Sequence, residues 1–141
     1  MEALSRDNKG HKFIRTVIDI FSKRAWAIPI MNNSGKEMLA ALQQLCKEAH
    51  PRKPNRLQTD AGKLFLNMDV QRSRKREGVR HFVSNSDQKA ALVERINRTL
   101  KSRIWTGHQT RHYLDILRKI LDSYNNTYHR TIGRAPNQLR K

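Results

Sequence analysis

Three acidic residues stand where their carboxylates could do chemistry. Asp19 lies inside the apolar run "VIDIF", Asp60 ends the segment "RLQTD", and Glu94 lies in "ALVERINRTLKSR", whose other charged residues are all basic. Carboxylate oxygens are ligands that Mg²⁺ and Mn²⁺ prefer. Two such ions about 4 Å apart can activate a nucleophile and stabilise the leaving oxygen at a phosphodiester. A single acid is more often a turn residue or an ion-pair partner, so the surrounding chain has to decide.

The stretch around Glu94 has the periodicity of an amphipathic helix. At about 100° per residue, its apolar side chains fall on one arc and its polar side chains on another. The apolar arc holds Leu92, Val93, Ile96, Leu100 and Ile104, and the polar face holds Glu94, Asn97, Arg98 and Lys101. This polar face is either a solvated surface with salt bridges, or a functional surface in which Glu94 binds a metal ion at the edge of a row of phosphate-binding residues.

The chain of 141 residues is strongly basic, with 29 Lys and Arg against 12 Asp and Glu and a formal net charge of +17. A folded domain with this charge attracts polyanions, and nucleic acid is the default partner. We expect no membrane partner, because the apolar runs are far shorter than the roughly 20 residues of a spanning helix. We also expect no small-molecule substrate.

Cysteine use and the absence of a signal-peptide pattern bear on the location of the protein. Cys46 is the single cysteine, which excludes an intrachain disulfide and a cysteine-rich zinc site. Its position on the apolar face of a predicted helix is typical of a buried small hydrophobe. We expect an intracellular protein that is not secreted. The basic stretch "RSRKREG" at 72–78 is the candidate for a nuclear address, although a solvated helix face is its simpler interpretation.

The order of apolar runs and turn residues predicts a mixed α/β domain. The runs "HKFIRTVIDIF" and "AWAIPIM" predict an antiparallel hairpin, and Ser34 and Glu37 have the spacing of a capping box at the start of a helix. A strand "RLQTD", a poorly patterned helix in "NMDVQRSRKREG" and a strand "VRHFV" follow. Two helices, from about 87 to 105 and from 113 to about 124, end the pattern. No linker or repeat divides the chain, so residues 1–141 are predicted to form a single domain.

Four blocks of the sequence resemble, in order, the catalytic core of retroviral-type integrases. They are "FIRTVIDIFSKRAWAIPI", "LQTDAGK", "ALVERINRTLKSRIW" and "YNNTYHRTIGRAP". The resemblance covers almost the whole chain and is closest to integrases of DNA transposons of the Polinton (Maverick) kind. It implies a ribonuclease H-like fold, in which helices flank a mixed sheet, and an Asp-Asp-Glu site for Mg²⁺ or Mn²⁺.

The resemblance also implies roles for individual residues. Asp60 takes the place of the second catalytic acid and Glu94 that of the third, both as metal ligands, and thirty-three residues lie between them. The positions that line DNA in the family fall here on Asn97, Arg98 and Lys101. The motif of Asp19 matches the family's second strand, where the residue is not the catalytic acid, so Asp19 is only a secondary candidate for the metal site.

The sequence departs from the family pattern in two respects. The family's first catalytic aspartate lies in a "W-x-x-D"-like strand before "FIRTVID", and this sequence starts after that position, which predicts an N-terminally truncated fold with an incomplete triad. Ser73, Arg74 and Glu77 stand where relatives have apolar residues, which we expect to weaken the packing of that helix by about 1–3 kcal/mol per core position.

The histidines and tryptophans receive structural interpretations. His81 and His129 are predicted to be structural or solvent-facing, and the i, i+4 spacing of His108 and His112 indicates a zinc site only weakly. Trp26 and Trp105 are predicted to lie in the core or at its edge rather than to serve as base-stacking platforms.

Three functions stay open at this point. The favoured one is a transposon-derived nucleic-acid-binding domain associated with DNA integration, whose catalysis is impaired by loss of the first aspartate. The second is an active Mg²⁺-dependent DNA strand transferase or endonuclease, which would lose strand transfer but not binding on Glu94→Ala. The third is a non-catalytic dimerisation module, a homodimer formed through the apolar stripe of the last helix, although packing of that stripe on the sheet is the simpler interpretation. The stripe consists of Tyr113, Ile116, Leu117, Ile120, Leu121 and Tyr124.

Overall fold

The computed structural model describes residues 6–51, 54–59, 67–83, 87–107 and 112–139. Its elements are a 3-10 turn Arg6–Asn8, strands β1 (Phe13–Ile18) and β2 (Ala25–Ile30), helix α1 (Gly35–Ala49), strand β3 (Arg56–Thr59), helix α2 (Met68–Arg76), strand β4 (Arg80–Val83), helix α3 (Asp87–Ser102), a π-helical turn Arg103–Gly107, helix α4 (Tyr113–Asn126) and a 3-10 turn Pro136–Gln138. The predicted order of strands and helices is confirmed.

Strands β1 and β2 form the predicted antiparallel hairpin. The register runs from Phe13 opposite Ile30 to Ile18 opposite Ala25. Alternate side chains point to opposite faces of a strand, so the hairpin is apolar on both faces. Helices therefore cover both of its sides.

Strands β3 and β4 form a second, parallel pair, in which Arg56 lies opposite Arg80 and Thr59 opposite Val83. Parallel strands need a crossover connection, and α2 lies on the stretch that connects them. Among the described residues the two strand pairs are separate two-stranded sheets.

Helix α1 begins at the predicted cap, but only half of the capping box is present. Ser34 Oγ accepts a hydrogen bond from the Glu37 amide at 3.2 Å. Glu37 Oε2 accepts instead from the Met31 amide at 3.1 Å, because the Ser34 amide is already bonded to Asn32 Oδ1 at 2.9 Å. The glutamate thus ties the start of α1 to the end of β2.

In the described segments the buried apolar residues form two clusters, one on each face of the β1–β2 hairpin. One is formed by α3 and α4 with the start of β2, and its buried members are Ala25, Ile96, Leu100, Ile104, Tyr113, Leu117 and Ile120. The other is formed by α1 with the rest of β2, and its buried members are Ile28, Ile30, Ala41 and Leu45. The hairpin is the middle layer between them, which sets the position of α3 relative to β1.

The apolar stripe of α4 packs inward. Tyr113, Leu117 and Ile120 are buried, and the other three residues of the stripe are partly buried against the same cluster. This is the packing on the sheet that was the simpler interpretation of the stripe, and a homodimer formed through it stays a prediction.

The start of α4 is held by the N-terminal segment. Asn8 is 1% exposed, and its Oδ1 accepts a hydrogen bond from the Leu114 amide at 3.1 Å. Tyr113 donates its hydroxyl hydrogen to the His11 carbonyl at 2.9 Å. His112, which precedes the helix, makes no side-chain cap bond. A buried asparagine distant in sequence thus satisfies an amide that the first turn of a helix leaves without an intrahelical partner.

Helix α2 has the weak core face that its sequence predicts. Val70 is 1% exposed, whereas Met68 is 68% exposed. Ser73, Arg74 and Glu77 line a cavity of about 20 Å³ together with apolar side chains of α1 and β3. That volume is on the order of one water molecule. Three polar residues thus lie at the contact between α1 and α2, and the expectation that relatives have apolar residues there stays a prediction.

Candidate nucleic-acid interface

The polar face predicted on α3 is present and open to solvent. Glu94, Arg98 and Lys101 are exposed and Asn97 is half-buried. Together with Ser102 and Trp105 they line one open depression. Ile96 and Leu100, on the opposite side of the helix, are buried in the core. The structure therefore brings the predicted third acid and the three predicted DNA-binding residues together on one surface.

Asn97 is positioned by strand β1. Thr16 donates its hydroxyl hydrogen to Asn97 Oδ1 at 2.6 Å. With the oxygen oriented in this way, the Asn97 amide nitrogen, which can only donate, is the atom suited to a phosphate oxygen. The bond also ties β1 to α3 across 81 residues of sequence.

Trp105 differs from its prediction. It lies one turn beyond Lys101, in the π-helical turn, and is 53% exposed rather than in the core. Its neighbour Ile104 is fully buried, so the core takes the isoleucine and leaves the indole at the surface. The signal was available in the sequence, because residues four apart share a helix face and Trp105 stands four after Lys101.

Asp60, the predicted second acid, lies outside the described residues, as does the "AGK" that follows it. The strand that leads to it ends at Thr59, whose Oγ1 lies 2.7 Å from His81 Nε2. Burial, with the nearby Arg74 guanidinium as a second cause, lowers the pKa of His81 from its usual 6.5. The neutral imidazole is therefore favoured, and it can accept the Thr59 hydroxyl hydrogen. His81 serves as the predicted structural residue.

Asp19 follows β1 instead of lying inside it. Its carboxylate accepts hydrogen bonds from the Ser22 hydroxyl at 2.6 Å, from the Ser22 amide at 3.2 Å and from the Phe21 amide at 3.4 Å. Its backbone also closes the turn, since the Lys23 amide donates to the Asp19 carbonyl at 2.8 Å. These contacts are those of a turn-closing aspartate.

The described residues contain no group of three or more His, Cys, Asp or Glu that could hold a metal ion. The carboxylate of Glu94 has the donor chemistry for Mg²⁺, but the described chain brings no such cluster of carboxylates to it. Arg98 and Lys101, in contrast, need no metal to bind a phosphate. The arrangement as described is a cationic surface with one acid on it.

Trp26 and His129 pack against neighbouring side chains. Trp26 is partly buried against the α1 cluster and the Arg24 guanidinium lies 5.4 Å from its ring centroid, which confirms its place at the core edge. His129 packs edge-on to Tyr124 at 4.8 Å between ring centroids. His108 lies outside the described residues. None of the helices in the described segments has the length and apolar character needed to cross a membrane.

Comparison with known proteins decides the family. Residues 4–89, more than half of the chain, match the family "Integrase core domain". This chain belongs to the integrase core family. A transposon-derived protein of Caenorhabditis elegans is 35% identical over 139 residues, which cover 96% of this chain and 48% of that protein. The integrase core therefore spans about half the length of this curated relative.

Solved integrases share the fold. The catalytic core of HTLV-2 integrase, solved with magnesium in a trimeric form, superposes with a TM-score of 0.72 at 20% identity and covers 89% of this chain and 82% of that one. The core of BIV integrase gives 0.74 at 20% identity with the same coverage. An intasome of simian T-cell lymphotropic virus, solved with a PP2A regulatory subunit, gives 0.78 at 20% identity and covers 89% and 47%. The predicted ribonuclease H-like fold is confirmed.

Proposed function

We propose that this integrase core binds DNA through α3 and that its origin is a transposon integrase, of the Polinton (Maverick) kind that the sequence resembles. The observation that carries the proposal is the placement of Arg98 and Lys101, both exposed, with Asn97 in one open depression. Guanidinium and ammonium groups bind phosphate oxygens, and an amide N–H adds a directed hydrogen bond. The transposon-derived relative supports the origin.

The net charge supports the same partner. A charge of +17 raises the local concentration of a polyanion before any contact forms. Each phosphate that the protein neutralises releases counterions, so affinity falls with salt by a slope of about 0.9 per contact on logarithmic axes. A DNA-binding role places the protein inside the cell, in the nucleus or elsewhere that DNA lies, and the basic stretch 72–78 is the candidate for a nuclear address.

Catalysis by this integrase core requires more than the described residues hold. We assign Asp60 and Glu94 as the catalytic carboxylates, which would bind Mg²⁺ or Mn²⁺. The bound metal would activate the attacking hydroxyl and stabilise the leaving oxygen. A two-metal site needs more carboxylate ligands than these two, and the described residues bring no group of three metal-ligating side chains together. The activity proposed for this chain is therefore DNA binding with impaired catalysis.

Strand transfer is the second candidate function, and the exposed position of Glu94 beside the phosphate-binding cations favours it. A segment that supplies the first aspartate would complete the metal site. The reaction would then join a 3′ hydroxyl to a target phosphodiester.

The test of DNA binding is a salt titration with two matched double variants. Arg98→Ala/Lys101→Ala removes two charges from the depression, and Lys36→Ala/Lys47→Ala removes two exposed charges from α1, on the other side of the hairpin. We expect the first variant to lower affinity for a duplex at least tenfold and to reduce the salt slope by about 2. Equal losses in both variants would mean that charge alone, not this surface, binds DNA. Fluorescence anisotropy at four salt concentrations measures both quantities.

A further inference from the structure

Trp105 has a large apolar side chain that is not buried in the core. It is 53% exposed and shares an open depression with Glu94, Asn97, Arg98 and Lys101. Burying an aromatic side chain of this size stabilises a protein by more than most single contacts. The fold does not use that gain here, although a core side chain, Ile104, lies directly beside it.

The backbone that carries the Trp105 indole is held in place by contacts on two sides. The π-helical turn Arg103–Gly107 continues α3 without a break, and such turns occur frequently at functional sites. Within it, Ile104 is fully buried, and Arg103 donates to the Ser123 hydroxyl on α4 at 3.2 Å. The backbone that presents Trp105 is therefore held by the core on one side and by α4 on the other.

We infer that the Trp105 indole is a stacking platform for an unpaired base of the DNA strand whose phosphates bind Arg98 and Lys101. The inference rests on the proposed DNA binding and adds to it a preference for an unpaired overhang or a single strand. An aromatic face next to a cationic track is the combination that binds single-stranded nucleic acid.

The base has to be unpaired for a geometric reason. Inside a duplex both faces of a base are covered by its neighbours, and the terminal bases of a blunt duplex remain paired, so the indole is expected to stack only on a base that is unpaired and free to leave the helix. Lys101 and Trp105 are four residues apart, about 6 Å along the helix axis. A strand lying on Lys101 would thus have its next nucleotide beside the indole.

The charge of the depression favours nucleic acid over a protein partner. The depression that holds the indole contains two cations, Arg98 and Lys101, and one carboxylate, that of Glu94. A second copy of this chain would bring the same positive charge against it and would be repelled.

The experiment compares three DNA probes of equal length: a single strand, a duplex with an unpaired 3′ overhang and a blunt duplex. Trp105→Ala is expected to weaken binding of the first two about tenfold and to leave the blunt duplex unchanged, because stacking of one base is lost. Trp105→Phe should keep most of the affinity, and Trp105→Leu, which keeps bulk without a π face, should not. Tyr128→Ala removes another exposed aromatic, 67% exposed and outside the depression, and serves as the control.

Fluorescence tests the same contact without altering it. The chain has two tryptophans, so Trp26→Phe leaves Trp105 as the only indole. We expect the single strand and the overhang, but not the blunt duplex, to quench its emission. Equal quenching by all three probes would overturn the proposal, as would equal loss of affinity in Trp105→Ala for all three.

Two further outcomes separate this inference from the function on which it rests. If Arg98→Ala/Lys101→Ala lowers affinity and the Trp105 variants do not, stacking is wrong and the DNA surface stands. If neither set lowers affinity, the DNA surface itself is wrong. A dimer in sedimentation that Trp105→Ala dissociates, with DNA binding unchanged, would assign the indole to self-association instead.

Discussion

Asn125 and the backbone of Ala25 exchange two hydrogen bonds across 100 residues of sequence. The Ala25 amide donates to Asn125 Oδ1 at 2.9 Å, and Asn125 Nδ2 donates to the Ala25 carbonyl at 2.9 Å. The side chain thereby occupies the place of a neighbouring strand at the start of β2. It fixes α4 on the hairpin and, through the shared core, fixes α3.

The first prediction concerns this pair. Asn125→Ala leaves a buried amide and a buried carbonyl of Ala25 without partners, and each such group costs about 1–3 kcal/mol. We expect the free energy of unfolding to fall by about 3 kcal/mol. Asn126→Ala, one residue on and exposed, should change it by less than about 1 kcal/mol. Urea denaturation followed by circular dichroism measures both, and equal effects would mean that the bonds add nothing to the fold.

The second prediction concerns the bond that positions Asn97. Thr16→Val keeps the shape and the strand preference of residue 16 and removes the hydroxyl that donates to Asn97. We expect a loss of about 1 kcal/mol in stability, and about a threefold loss in DNA affinity because Asn97 is no longer held toward the phosphates.

A double-mutant cycle checks the cause of the Thr16→Val effect. In an Asn97→Ala background, Thr16→Val should have no further effect on affinity. Thr99→Val removes a hydroxyl from the same helix that bonds the Arg95 carbonyl instead, and it should leave binding unchanged. An effect of Thr16→Val that persists without Asn97 would contradict the prediction.

The side-chain bonds of Asn125 and Asn8 show what the sequence could and could not predict. The elements were predictable because their apolar residues repeat at helix or strand spacing, as in α4 from Tyr113 to Leu121. The pairing of Asn125 with Ala25 was not, since a polar residue at the end of a helix carries no mark of a partner 100 positions away. The same holds for Asn8, which caps α4 from the other end of the chain.

The candidate site was predictable where helix geometry alone decided it. The spacing of Glu94, Asn97, Arg98 and Lys101 put them on one face, and the structure places them there. Trp105 was predicted wrongly, because aromatic residues are usually buried and here the π-helical turn gives the core position to Ile104. The roles of these residues in metal and DNA binding stay predictions.

The third prediction is a pH dependence of stability. Burial and Arg74 lower the pKa of His81 below its usual 6.5. Above about pH 6.5 the imidazole is neutral in both the folded and the unfolded chain and contributes no slope. As pH falls below 6.5, the unfolded chain binds the proton first, so stability is lost until the lowered pKa is passed.

Removing the His81 imidazole should remove its contribution to the dependence of stability on pH. His81→Gln keeps an acceptor for the Thr59 hydroxyl and should flatten the change of stability between pH 6.5 and 5. His50→Gln, at an exposed position, should not. Arg74→Gln should raise the pKa of His81 only part of the way toward 6.5, because burial is the larger cause. NMR titration of the imidazole protons gives these pKa values directly.

The last prediction separates Glu94 as a surface acid from Glu94 as a metal ligand. In buffer without divalent ions, its negative charge repels the phosphates that Arg98 and Lys101 attract. Glu94→Gln should therefore raise DNA affinity about two- to threefold, in line with the small energies of exposed charge pairs. Glu48→Gln removes a carboxylate from an exposed position of α1 and should have less effect.

If Glu94 is a metal ligand, Mg²⁺ should turn its effect on DNA affinity from unfavourable to favourable. An ion held between this carboxylate and a phosphate turns repulsion into a bridge, so Mg²⁺ at constant ionic strength should strengthen DNA binding by the unaltered chain and not by the Glu94→Gln variant. Mn²⁺, which accepts the same oxygen ligands, should act in the same direction. If both ions change the two proteins alike, Glu94 is a surface acid and its assignment as the third catalytic carboxylate is wrong.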